Sequence, residues 1–186
     1  MATIILFHSV LGLRANEKRM ADRMRAAGHD VILPDLYGGA AAEDLDEGFA
    51  IKDRLGWATI RRKAADALAS APQTTVLAGI SMGAGVVAEF WGERPAAAGV
   101  LLLHGLAAVP STMRPGMPVQ LHVAGSDPFF AASAVDAWHD DALAARADVQ
   151  VFRYADCGHY FSDPALPDHN EAAARQLWQR CLAFLE

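Results

Sequence analysis

Residues 74–91 read TTVLAGISMGAGVVAEFW. The run opens with four β-branched or apolar residues, Thr74 to Leu77, which have the character of a buried strand. It closes on Val86 to Trp91, an apolar stretch suited to a helix. Between them Gly79, Ser81, Gly83, Ala84 and Gly85 leave almost no side-chain bulk. Glycine weakens both strands and helices unless the backbone needs its freedom or its small size. The stretch therefore predicts a strand, a very tight turn and a helix packed close against that strand.

The same alternation extends in both directions. Strands are predicted over Thr3 to Phe7, Asp30 to Leu33, Thr75 to Ala78, Gly99 to Leu103, Val119 to Ala124 and Val149 to Tyr154. Most are continuous apolar runs, the pattern of strands covered on both faces of a parallel sheet. Helices are predicted over Asn16 to Ala27 (ending at Gly28), Leu55 to Ala69, Ala84 to Gly92, Ala131 to Ala145 and Asn170 to Leu185. A repeated strand–helix unit implies an α/β fold, a doubly wound and mostly parallel sheet of about six strands. No linker or internal repeat divides the chain, so residues 1–186 are read as one domain. Residues 38–54, GGAAAEDLDEGFAIKDR, are the least regular and are read as a mobile surface segment. Residues 106–118, LAAVPSTMRPGMP, hold three prolines and suit a loop rather than a helical cap.

Composition narrows the functional classes. With 186 residues, 53% of them apolar, the chain can bury a real core. A net charge of −6, with no basic run beyond Arg61-Arg62-Lys63, argues against nucleic acid. No apolar stretch approaches the roughly 20 residues that span a bilayer, and MATIILFHSV lacks a basic leader. Cys157 and Cys181 are read as reduced thiols of a cytoplasmic protein, and no metal-ligand spacing is present.

Gly79-x-Ser81-x-Gly83 between a strand and a helix is the signature of a nucleophile elbow, in which a strained turn lifts a serine hydroxyl clear of the sheet edge. A Walker loop would need Lys after the last glycine, and Gly-x-Gly-x-x-Gly is absent. Such a serine needs an acid and a histidine later in the chain, in that order. Asp127 in VQLHVAGSDPFF follows the fifth strand, and His159 in VFRYADCGHYF follows the sixth. Residues beyond the carboxyl ends of parallel strands converge on one crevice, so Ser81, Asp127 and His159 can meet there. The plainer readings are that Asp127 caps the next helix or closes an Asx turn and that His159 is an ordinary turn residue; the three placements together favour the triad. Asp156, Asp163 and Asp168 compete for the acid role but flank the histidine. An oxyanion hole needs two backbone N–H groups. Met82 supplies one, and Val10 in LFHSVLGLR the other, with Ser9 and Leu11 as neighbouring alternatives.

With these residues in view, the chain resembles the dienelactone hydrolase family of the α/β-hydrolase fold, from about Thr3 to Phe184. The resemblance is carried by HSVLGLR after the first strand, GHDVILPDLYGG with Pro34-Asp35-Leu36-Tyr37, GISMG at the elbow, GSDPF and CGHYF. It implies hydrolysis of ester or lactone bonds without a cofactor, with nucleophile, acid and base at Ser81, Asp127 and His159. The family's namesake carries cysteine at the elbow and glutamate just before the oxyanion-hole residue; this chain has Ser81 and Ser9 there. A serine esterase mechanism through an acyl-enzyme follows, acting on small carboxylic esters, with lactones and thioesters as related substrates. Acyl transfer at the same site, or a catalytically silent binding module on this fold, are the alternatives.

Substrate contacts are expected from His8, Ser9, Trp57, His104, Phe129 and Tyr160, with Phe130 and Phe161 completing an apolar pocket. His8 and His104 are equally suited to be satisfied core groups. Arg14 is read either as a carboxylate contact or as a solvated start-of-helix residue. Trp91 and Trp178 fit core positions, as does Cys157.

Overall fold

The computed structural model describes residues 1–186. Six strands form one sheet: β1 (Thr3–Phe7), β2 (Asp30–Ile32), β3 (Val76–Ile80), β4 (Val100–Leu103), β5 (Pro118–Ala124) and β6 (Asp148–Tyr154). Their spatial order is β2-β1-β3-β4-β5-β6, and every pairing is parallel. The chain moves outward from β1 to β2, crosses back to β3 on the other side of β1, and continues to β6. That reversal opens a crevice at the carboxyl ends of β1 and β3, where open α/β sheets bind ligands.

Side chains alternate across each strand, so consecutive apolar residues feed two cores. Ile5, Phe7, Leu77, Leu102 and Leu121 join α3 (Trp57–Ala69), α4 (Met82–Trp91) and α5 (Ala132–Ala144) on one face. Ile4, Leu6, Val76, Ala78, Leu101 and Leu103 join α1 (Ala15–Ala26) and α6 (Glu171–Leu185) on the other. This two-sided burial is the physical reason the strands read as continuous apolar runs. Trp91 is fully buried in the first core; Trp178 and Cys157 pack in the second.

One element departs from the sequence reading. Residues expected to be an irregular mobile segment contain α2 (Leu45–Leu55). Asp44 caps it by accepting from the Glu47 N–H at 2.9 Å, and the Glu47 carboxylate reaches back to the Glu43 N–H at 2.9 Å. The pair satisfies one donor that the helix start leaves open and ties down the residue before the cap. Gly48 brings α2 against the loop after β1, since a Cβ there would lie 2.8 Å from the Val10 carbonyl oxygen. The helical pattern expected from Leu55 to Ala69 is broken at Gly56, where α2 ends and α3 begins. Residues 106–117 contain no helix, so α2 is the element that covers the crevice.

Candidate active site

Ser81 occupies the turn between β3 and α4 with φ 51° and ψ −109°. A non-glycine residue at positive φ stores about 1–3 kcal/mol of strain. The surrounding packing holds it there. The Ser81 N–H donates to the Leu103 carbonyl at 2.8 Å, and the Ala84 N–H donates to the Ser81 carbonyl at 2.9 Å. The flanking glycines permit the close approach: a Cβ on Gly79 would sit 2.3 Å from the Gly83 carbonyl oxygen, and one on Gly83 would sit 2.2 Å from that of Phe7. Gly85 behaves differently from its neighbours. A Cβ there would meet the Trp57 ring at 3.5 Å, an ordinary contact, so Gly85 lines the cleft rather than the helix–sheet contact.

The loops after β5 and β6 bring Asp127 and His159 to this turn. Ser81 Oγ lies 2.8 Å from His159 Nε2, and His159 Nδ1 lies 2.7 Å from Asp127 Oδ2. The other Asp127 oxygen accepts the Phe129 N–H at 2.9 Å. Asp127 therefore closes an Asx turn and faces the histidine at once, so its two readings are not alternatives. The histidine and aspartate side chains are 4% and 1% exposed, which keeps water from competing for the pair. The rival carboxylates are engaged elsewhere. Asp163 pairs with Arg14, Asp168 accepts the Tyr160 N–H at 3.1 Å, and Asp156 stands exposed.

A cleft of about 330 Å³ opens onto Ser81 and His159. Val10 and Met82 both line it. The Val10 N–H donates to no group in the protein. Met82 opens α4, where helix geometry leaves the N–H without an intrahelical partner. Trp57, His104, Phe129 and Tyr160 stand in the wall; His8 and Ser9 do not. His8 instead ties two loops together, with Nδ1 2.7 Å from the Ser9 carbonyl oxygen and Nε2 accepting the Leu36 N–H at 3.0 Å. Burial holds its pKa below the ordinary histidine value, consistent with a neutral ring. His104 is both wall and core. It is 1% exposed and bonds Ser162 Oγ through Nε2 at 2.7 Å, and burial holds its pKa well below the usual value. Arg14 faces Asp163 rather than the cleft.

The sequence reading missed the contribution of α2. Leu45, Phe49 and Lys52 face the cleft, as does Leu106 from the loop after β4. Phe49 approaches Phe129 with ring centroids 6.4 Å apart, and Phe129 in turn lies 4.5 Å from the His159 ring. The signal was available: Leu45, Phe49 and Lys52 are spaced to share a helix face, and Asp44 followed by Asp46 and Glu47 is a helix-start pattern. No group of three or more His, Cys, Asp or Glu side chains is placed to hold a metal ion. No helix is long and apolar enough to cross a membrane.

The parallel sheet, its switch point and the strained elbow define an α/β-hydrolase. The chain belongs to the dienelactone hydrolase family, whose sequence profile matches residues 1–186, and it is an ester-cleaving hydrolase of that family. A comparison with curated proteins finds no match. Among solved structures, a promiscuous dienelactone hydrolase-like phosphotriesterase from metagenomic libraries superposes with a TM-score of 0.82 at 20% identity, over 100% of this chain and 86% of that one. A dienelactone hydrolase from Anabaena variabilis gives 0.68 at 19% identity, over 100% and 85%. An esterase gives 0.67 at 16% identity, over 99% and 91%. At these identities the likeness speaks to the fold.

Proposed function

We propose that the protein is a serine hydrolase that cleaves small carboxylic esters through an acyl-enzyme. The observation that carries this reading is the unbroken line from Asp127 Oδ2 through His159 to Ser81 Oγ, with spacings of 2.7 and 2.8 Å, at the floor of an apolar cleft. Ser81 attacks the ester carbonyl while His159 Nε2 takes its proton. Negative charge then develops on the carbonyl oxygen, facing the Val10 and Met82 N–H groups. The protonated His159 gives its proton to the departing alcohol. Water, deprotonated by the same histidine, releases the acid. Asp127 fixes the tautomer that leaves Nε2 free to accept, and steadies the imidazolium.

Cleft size supports a compact substrate. A volume of about 330 Å³ lies near the lower end of the roughly 300–1,000 Å³ usual for ligand pockets. A fluorophosphonate probe should add one phosphonyl group at Ser81, and Ser81→Ala should abolish both labelling and esterase turnover. Labelling at another serine, or an active alanine variant, would overturn the assignment.

A further inference from the structure

Ser81 Oγ has a second neighbour that the triad does not use. The Tyr160 hydroxyl donates to it at 3.2 Å, beside the 2.8 Å contact with His159 Nε2. Tyr160 is 5% exposed, and burial pushes its phenol above the ordinary value, so it keeps its proton. Its backbone is pinned on both sides: the N–H donates to Asp168 at 3.1 Å, and the carbonyl accepts the Asp163 N–H at 2.8 Å. The phenol has Ser81 Oγ as its hydrogen-bond partner. Nearby, Ser9 Oγ donates to Glu17 Oε1 at 3.3 Å, and the other Glu17 oxygen accepts the Arg14 N–H at 3.1 Å, a separate buried group that makes no hydrogen bond to the phenol.

Resting on the serine-hydrolase reading above, we propose that Tyr160 is a fourth catalytic residue, whose O–H stabilises the negative charge on Ser81 Oγ as that oxygen attacks and again as it leaves. In the first step the Ser81 proton passes to His159 Nε2 while the Oγ–carbon bond forms, and the carbonyl electron pair moves onto the carbonyl oxygen. In deacylation, water gives a proton to His159 and its oxygen bonds the acyl carbon. The Oγ–carbon bond then breaks, its electron pair returns to Oγ, and Oγ takes the proton from His159. Tyr160 keeps its own proton throughout, so no charge is left behind. A donor aimed at developing charge acts in the transition state, whereas the same bond to the resting hydroxyl contributes less.

The test is Tyr160→Phe, which removes one oxygen and keeps the ring. Fluorophosphonate labelling of Ser81 and kcat for p-nitrophenyl acetate should both fall about 10- to 100-fold, the range for a hydrogen bond to a charged group. KM and Tm should stay near the parent values. Labelling of Tyr160→Phe within twofold of the parent would overturn the role of Tyr160 while leaving Ser81 as nucleophile. Absence of labelling at Ser81 in the parent protein would instead overturn the underlying hydrolase reading.

Discussion

Replacing Asp127 with asparagine tests the proposed mechanism at its most constrained point. The Phe129 N–H donates to Asp127 Oδ1 at 2.9 Å, so that oxygen must remain an acceptor. The asparagine amide then has to present its NH₂ to His159 Nδ1, where the carboxylate oxygen now stands at 2.7 Å. A donor there forces Nδ1 to accept and moves the ring proton to Nε2. Nε2 can then no longer take the Ser81 proton. Escape by flipping the amide sets the NH₂ against the Phe129 N–H and leaves a buried donor unpaired, at about 1–3 kcal/mol. Either orientation also removes the negative charge beside the imidazolium of the transition state. That is a further contribution of about 4 kcal/mol for unit charges 4 Å apart at an effective dielectric of 20.

The sum is about 5 kcal/mol or more, close to four decades in rate at about 1.4 kcal/mol each. It agrees with the loss of about 10⁴ for the same substitution in the reference serine-protease triad. The assay is kcat for p-nitrophenyl acetate, with Tm and circular dichroism to show that the variant is folded. Asp156→Asn serves as control and should change kcat less than about threefold, since Asp156 is exposed and makes no bond to His159. A folded Asp127→Asn variant retaining a tenth of parental kcat would refute both the tautomer argument and the assignment of the acid.

Two further outcomes follow from the cleft and the core. Across p-nitrophenyl esters from acetate to laurate, kcat/KM should fall once the acyl chain outgrows the cleft of about 330 Å³; a maximum at eight carbons or longer would contradict the compact-substrate reading. Stability should depend on acid through the buried histidines: burial holds His8, His104 and His122 below their ordinary value, His122 at about 3. Such groups contribute fully above the unfolded value near 6.5 and lose that contribution as pH falls, for His122 down to about 3. Glu17 has the opposite sign, because its raised pKa makes the native state hold a proton longer than the unfolded chain does. Three histidines against one glutamate leave a net loss of stability from pH 6.5 to 4.5. The urea midpoint should drop across that interval; a flat profile would refute it, and His122→Gln should make the slope shallower.

What the sequence made legible follows from the range of the interactions involved. The elbow is mostly local: Gly79, Ser81 and Gly83 are fixed by a turn within a few residues of the serine, closed from outside by the Phe7, His8 and Leu103 carbonyls. Asp127 and His159 lie far away in sequence, yet the parallel topology sends every strand end to the same edge, so order and position along the strands sufficed. Residues 38–54 read as irregular, yet Asp44, Asp46 and Glu47 all fall at the start of α2, where a helix favours negative charge. Those acids serve the helix start, and Leu45 and Phe49 of the same helix face the cleft.

The group behind the nucleophile was illegible for a different reason. Arg14 and Asp163 are 149 residues apart, and Tyr160 and Ser81 are 79 apart. Neither pair is implied by strand order, because each joins a loop to a helix start or to a turn. Glu17 reads in sequence as an ordinary first-turn acid of α1, a favourable place for one at any exposed helix start. Glu17 stands third in its helix, accepts the Arg14 N–H at 3.1 Å and ends 1% exposed; Glu171 opens α6, pairs with Arg175, and its side chain is 81% exposed. Two first-turn acids thus end in opposite environments. The buried one, whose carboxyl desolvation holds above its ordinary value, is the one whose replacement should alter the acid dependence of stability.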